Sequence, residues 1–316
     1  MAATGDFAVP SFTALLSGGH EIISLITQPD RPAGRGRHLK LSRIKQLALD
    51  QRLDVLQPER LATPQMTDTV ADLAPDLFLV IAYGQKIPPT ITALPPRGAI
   101  NVHASLLPQL RGAAPCNWAI IRGLKETGAT VQFLAERIDA GDVLARRALP
   151  VGPRETAPQL YERLAALSAE LLLDVLARID AGAARADKQD ESAATYAPLL
   201  KKEHGLIDWT RTAHEIDSLV RGVKPWPGAF TYFPRPRKPT VRLILEETLP
   251  LAPTAAAAAA APGQIVHAGK DLLVATGHGL LSVLALKPES GKLMTAEAFC
   301  NGHQVKPGGL LGPDPS

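Results

Sequence analysis

Asn101 and His103 flank a single valine at the end of an apolar run, Ala99 to His103, that reads as a β-strand. Residues two apart in a strand project from the same face, so the amide and the imidazole can converge on one point. Open α/β sheets bind ligands at the carboxyl ends of their strands, which makes this pair a candidate for holding a reacting carbonyl. Alone, an N-x-H is also what an ordinary polar strand end looks like, and its surroundings add weight. Ser105-Leu106-Leu107-Pro108 follows directly. Then comes Arg111-Gly112-Ala113-Ala114-Pro115, a Gly- and Pro-punctuated loop opening a helix whose amides can face a ligand. Farther on, Ile138-Asp139-Ala140-Gly141-Asp142 sets two carboxylates beside a turn glycine. Turn aspartates also serve structure through Asx hydrogen bonds, so this motif has two readings. No His, Cys and acidic cluster shows ligand spacing, and no metal is expected.

The elements that position these residues follow from periodicity. Glu21 to Thr27, Asp54 to Leu56, Leu77 to Ala82 and Ala99 to His103 read as short apolar strands, the third apolar throughout, as expected when helices cover both faces of a parallel sheet. Helices are predicted from the Ser42 cap to about Gln51, from Thr67 to Leu73, and from Ala113 to Arg122. Ala129 to Leu134 and Val143 to Leu149 form a further strand pair around the Asp139 turn, and Gln159 to Ala177 has helical spacing. This is an open, mostly parallel, Rossmann-like α/β sheet, assigned to residues 1–179. Residues 180–198, rich in Ala, Gly, Asp and Lys, read as a linker. A helix near Thr212 to Arg221 and five short strand candidates, from Phe230 to Leu286, then suggest a small OB-like barrel over residues 199–316. The alanine run Ala255 to Ala261 reads as a tolerated loop expansion.

Size and composition agree with that division. At about 150 residues per domain, a chain of 316 residues is expected to hold two domains. Apolar residues make up 46% and charged residues 21%, a globular composition. No apolar run reaches the roughly 20 residues of a membrane-spanning helix, and no secretory signal opens the chain, so a cytoplasmic protein is expected. Cys116 and Cys300 form no C-x-x-C pair. The net charge of +3 decides little, but its distribution does. Arg31, Arg35, Arg37, Lys40, Arg43 and Lys45 face the single acid Asp30 within residues 30–45. Between Arg221 and Arg242 there is no acid, while Lys224 and Arg235 lie among Trp226, Phe230, Tyr232 and Phe233. Basic groups neutralise phosphates and rings stack on unpaired bases, so this mixture suits RNA with single-stranded ends better than a DNA groove. The rival reading is an ordinary solvated surface.

Several of these motifs together resemble the signatures of the folate-dependent formyltransferases: Asn101 to Pro108, Arg111 to Pro115, Gly128 to Val131 and Ile138 to Asp142, in order and approximate spacing. Gln28 to Arg37, Arg111 to Pro115 and Lys224 to Ala229 resemble the branch that acts on methionyl-tRNA. The resemblance implies transfer of a formyl group from 10-formyltetrahydrofolate to the methionine amine of initiator methionyl-tRNA. It implies a catalytic trio of Asn101, His103 and Asp139. Folate binding falls by analogy on Ser105, Leu106, Leu107 and Pro108, with Tyr83, Gly84, Gln85 and Ile87 of the next loop as a wall of the pterin pocket. Arg31, Arg35, Arg37, Lys40, Lys224 and Arg235 are the expected tRNA contacts, the segment near Arg35 resembling a loop that enters the acceptor stem. The expected protein is a monomer with no DNA or membrane partner. The chemistry independently asks for such groups: the tetrahedral species gains negative charge on oxygen, which Asn101 and His103 can stabilise, and a carboxylate such as Asp139 can manage the protons. Three alternatives remain: a formyltransferase acting on an amino sugar nucleotide and a hydrolase releasing formate from the same cofactor, both using the same three residues, or a tRNA-binding protein without catalysis.

Three departures from the family pattern remove no reacting group: Ile138, Ala140 and Lys224 stand where Leu, Thr and Asn are usual. One departure concerns the fold. Only Met1 to Gly5 precede Asp6-Phe7-Ala8-Val9-Pro10, so the central first strand is predicted to be missing. A start upstream of Met1, a curtailed strand and a destabilised protein compete as explanations, the first being favoured.

Overall fold

The computed structural model describes residues 1–33, 38–39, 41–235, 238–253 and 259–313. They fall into two compact units, the first comprising Met1–Pro115, Glu126–Pro150 and Tyr161–Pro198.

The first unit is built on a seven-stranded sheet of β1 (Ala2–Ala3), β2 (Ser24–Ile26), β3 (Asp54–Leu56), β4 (Phe78–Ile81), β5 (Ala99–His103), β6 (Glu126–Phe133) and β7 (Val143–Pro150), in the order β3-β2-β1-β4-β5-β6-β7. The pairs from β3 through to β5 are parallel. β5-β6 and β6-β7 are antiparallel. Helices α1 (Val9–Ser17), α2 (Arg43–Asp50) and α3 (Pro64–Asp72) connect the parallel strands. The Ser42 hydroxyl caps α2 by accepting from the Lys45 N–H, as the sequence predicts. α3 starts earlier than its apolar periodicity indicates, because Thr63 caps it and Pro64 occupies its first turn.

The strand predicted to be missing is present. Ala2 and Ala3, both fully buried, pair with Ile26 on one side and with Val80 and Ile81 on the other. Two alanines are too short a run to register as hydrophobic periodicity, yet a ladder needs only extended backbone between two partners. The strand order reverses between β1 and β4, and the Gly5 N–H donates to the Ala82 carbonyl just beyond their carboxyl ends. That is the topological switch point of the sheet, the usual ligand-binding edge of this architecture. Residues 180–198 carry bridges onto this unit, Asp187 against Val143 and Tyr196 against Arg111.

The second unit comprises Cys116–Lys125, Val151–Leu160 and Leu199–Ser316. Its six-stranded antiparallel sheet of β8 (Ala229–Arg235), β9 (Lys238–Leu251), β10 (Ile265–Ala268), β11 (Leu272–Ala275), β12 (Leu280–Pro288) and β13 (Met294–Thr295) curls into a half-barrel. The order is β8-β9-β12-β11-β10, with β13 beside β12. Residues near the end of the chain bridge both edges, Leu310 against Gln264 beside β10 and Gly312 against Tyr232 of β8. The exposed edge groups of an open sheet are thereby engaged. Trp209, Leu243, Leu245, Leu281, Val283 and Phe299 lie in the core this sheet encloses.

Candidate active site

β5 ends with Asn101 and His103 buried on one face, 9% and 6% exposed. The antiparallel register sets Gln132 of β6 opposite Asn101 and Thr130 opposite His103, so four polar side chains occupy adjacent positions at this end of the sheet. Asp139 reaches the same place from the turn after β6. Its backbone takes the left-handed conformation (φ 53°) that aspartate tolerates better than most residues. Gly141 makes the turn possible, since a Cβ there would lie 1.8 Å from the Phe133 carbonyl oxygen.

The side chains meet. His103 Nδ1 lies 3.6 Å from Asp139 Oδ2, and Asn101 Nδ2 donates to Asp139 Oδ1 at 3.5 Å. The Gly112 backbone N–H donates to Asp139 Oδ2 at 2.8 Å, and Gln132 Nε2 donates to Oδ1 at 3.2 Å. The Asp139 carboxylate thus sits in a pocket of donors. His103 Nε2 donates to the Leu110 carbonyl at 3.0 Å, which fixes the ring with Nδ1 facing Asp139.

The loop after β5 is equally tied down. Thr130 Oγ1 donates to the Ser105 carbonyl at 2.6 Å and accepts from the Leu107 N–H at 3.1 Å. The Ser105 hydroxyl donates to the Gln109 carbonyl, and Arg146 Nε to the Leu107 carbonyl. Ser105 and Leu107 are buried, whereas Leu106 and Pro108 are half-buried. Across the switch point the loop after β4 carries Gly84 exposed, with left-handed backbone (φ 87°). Tyr83 turns its ring inward, into a core with Phe78, Val80 and Ile91, and its carbonyl accepts from Thr4 and Gln28. Burial pushes its phenol up to about 12. The Gln85 side chain is engaged with the backbone of Pro58, Glu59 and Leu61, and half-buried Ile87 packs against the same core.

Behind the Asp139 turn stands a second layer. Arg111, 2% exposed, forks onto the Glu191 carboxylate at 2.9 and 3.1 Å and onto Gln189 Oε1 at 2.7 and 3.2 Å. Hydrogen bonding from Arg111, joined by Arg137, holds the Glu191 carboxyl down at about 2. Among the described residues no group of three or more His, Cys, Asp or Glu side chains is placed to hold a metal ion.

Residues 1–176 match the formyl transferase family, and residues 199–304 match the formyl transferase C-terminal domain. The chain belongs to the formyl transferase family. It is similar to the methionyl-tRNA formyltransferase of Geobacter sulfurreducens, with 42% identity over 98% of this chain and 95% of the relative. Among solved structures it resembles an N-formyltransferase from Helicobacter canadensis in complex with folinic acid and dTDP-3-aminofucose, at TM-score 0.61 and 15% identity over 90% and 99% of the two chains. It also resembles HypX from Aquifex aeolicus in complex with tetrahydrofolic acid, at TM-score 0.55 and 19% identity over 81% of this chain. The chain spans only 43% of HypX. Likeness at these identities carries the fold of a formyl transferase.

In this formyl transferase, sequence reasoning singles out Asn101, His103 and Asp139, quotes Thr130 and Gly112 only within longer motifs, and misses Gln132 and Gln189. Thr130 and Gln132 are visible as a period-two pair within Thr130-Val131-Gln132 once the β5-β6 register is known; Gln189 carries no local signal. Of the basic positions, Arg31 is exposed, Lys224 Nζ lies 3.5 Å from Glu246, and Arg235 Nε donates to the Pro239 carbonyl. Arg35, Arg37 and Lys40 lie outside the described residues. Lys45 of the same basic segment pairs with Asp30 and donates to Gln57.

Proposed function

We propose that this formyl transferase moves the formyl group of 10-formyltetrahydrofolate onto the methionine amine of initiator methionyl-tRNA. The observation that carries the reading is the convergence of an amide, an imidazole and a carboxylate on one point at the end of β5. In the proposed reaction the amine nitrogen attacks the formyl carbon, forming the new C–N bond, and the carbonyl oxygen takes up negative charge. Asn101 Nδ2–H and His103 Nδ1–H donate to that oxygen. Asp139 accepts a proton that the amine nitrogen must lose, passed through an ordered water. Collapse of the tetrahedral species breaks the bond to the folate nitrogen, which gains a proton.

The donor set suits the formyl group of the folate, and the two loops flanking the switch point, 82–88 and 105–108, are where its ring system is proposed to lie. Methionyl-tRNA as acceptor is supported by the full-length similarity to a named methionyl-tRNA formyltransferase. The basic segment of Arg31, Arg35, Arg37 and Lys40, with Lys224 and Arg235, is assigned to RNA phosphates. A monomer acting in the cytoplasm completes the reading.

The test uses formyl-labelled folate with methionyl-tRNA or an amino sugar nucleotide as acceptor. Label is expected on the tRNA; label on the sugar alone would reject the proposed acceptor. Asn101→Ala and His103→Ala are each expected to lose about 10²- to 10³-fold in rate while retaining tRNA binding. Near-wild-type turnover by both variants would remove their assigned roles.

A further inference from the structure

Gln189 lies in a stretch whose composition suggests nothing but a connection, yet its amide joins the Asp139 turn to a buried arginine. Its Nε2 lies 2.9 Å from the Asp139 carbonyl, 2.7 Å from the Gly141 carbonyl and 3.0 Å from Gln132 Oε1. Its Oε1 accepts from Arg111 Nε and Nη2.

These contacts have a direction. Guanidinium is donor-only, so Arg111 requires the oxygen of Gln189 to face it. The Gln189 amine then faces Gln132, which requires the Gln132 oxygen to face back. The Gln132 amine is thereby turned toward the Asp139 carboxylate, which it meets at 3.2 Å. The two primary amides form a series in which Arg111, anchored by Glu191, determines which end of each amide points at the acid.

From this we infer that Gln189 is a positioning residue for formyl transfer, fixing both the turn that carries Asp139 and the donor end of Gln132. The inference rests on the reaction proposed above. Gln189 itself touches neither His103 nor Asn101 through any contact described above, so it acts through Asp139 and Gln132.

Gln189→Glu separates positioning from packing. The carboxylate keeps the length of the side chain and still accepts from Arg111, but donates nothing to the Asp139 and Gly141 carbonyls. It also attracts the amine of Gln132, turning that residue's oxygen toward Asp139. The expected result is a kcat lowered roughly 10- to 100-fold by misplacement of the acid, with KM for both substrates little changed. Gln132→Met should lower kcat as well, and the double variant should fall no further than the weaker single one, because both act on one carboxylate.

A second readout needs no turnover. In ¹H–¹⁵N spectra of the ligand-free protein, Gln189→Glu should shift the Gln132 side-chain amide and the Gly112 backbone amide, both of which donate to Asp139. If these resonances do not move, or if kcat stays within twofold of wild type while the wild type is active, the inference is overturned. A wild-type protein that forms no formylated tRNA would instead reject the proposed reaction, while the amide spectra would still decide the role of Gln189 at Asp139.

Discussion

The backbone N–H of Gly112 donates to the Asp139 carboxylate at 2.8 Å, so the loop between β5 and α4 (Pro115–Ile121) holds the acid in place by main chain alone. Gly112 has a φ of 118°, and a Cβ there would lie 2.8 Å from the Ala197 carbonyl oxygen. Both features require glycine, since the chain must be left-handed and in close contact with a neighbouring backbone.

Gly112→Ala should therefore cost activity as well as stability. The loop must move to seat the methyl group, withdrawing the amide from Asp139. A stability loss of about 1–3 kcal/mol and a fall in kcat on the order of 10²-fold are expected. Chemical denaturation and steady-state kinetics on one preparation measure both; an unchanged kcat in a destabilised protein would mean that the amide does not position the acid.

Glu191 provides a prediction with a defined pH window. Its carboxyl is held down from the ordinary 4.5 to about 2, chiefly by hydrogen bonding from Arg111. A group depressed on folding contributes stability that is complete above its unfolded value and lost as pH falls through its folded value. The melting temperature of Glu191→Gln should thus lie below wild type at neutral pH, with a gap that narrows between pH 4.5 and about 2 and then closes. Half of the Glu191 side chain is exposed, so added salt should shrink the neutral-pH gap. A gap that widened on acidification would reject the ion-pair assignment.

Much of this arrangement is legible in the sequence, and what is hidden has identifiable physical causes. Asp54–Leu56, Ala99–His103 and Leu272–Ala275 are strands with the bounds that their apolar runs predict, because their signal is local and uninterrupted. Asn101 and His103 can be paired from strand parity alone. α1 passes unnoticed because Pro10 interrupts its first turn, where proline is in fact well tolerated. β1 is hidden by its length. Gln132 and Gln189 are hidden because their partners are distant in the chain: Asn101 is set opposite Gln132 by sheet register, and Gln189 meets Asp139 from 50 residues away. Local periodicity reports burial and element type, and has no means of reporting which polar groups a register brings together.

Tyr83 is a case where the sequence suggests a ligand contact and the side chain sits in the core. Its hydroxyl is buried with no hydrogen-bond partner among the described residues. An unsatisfied buried hydroxyl costs free energy that phenylalanine would not incur, so Tyr83→Phe should leave stability unchanged or raise it by about 1 kcal/mol. KM for the formyl donor should stay the same. A marked rise in that KM, with the fold intact, would show that the phenol contacts the donor after all.

In the second unit, Asp217 on α5 (Ala213–Gly222) is 2% exposed and carries a dense set of partners. Arg154 donates to both of its oxygens at 2.8 Å, Arg221 Nε donates at 2.8 Å, and the Thr248 hydroxyl donates at 2.9 Å. Removing one member of a buried ion pair leaves an uncompensated charge, which costs about 3–5 kcal/mol when both members are buried. Arg221 is 12% exposed and Arg154 is 45% exposed, so only the first is left without water on losing Asp217. Asp217→Ala should therefore destabilise the second unit by an amount near the lower end of that range. Asp217→Asn, which keeps an acceptor for Thr248 and one guanidinium, should lose less. Denaturant titration of the two variants separates the lost charge from the lost hydrogen bonds. Equal stability of Asp217→Ala and wild type would mean that the guanidinium groups find water or other acceptors without cost.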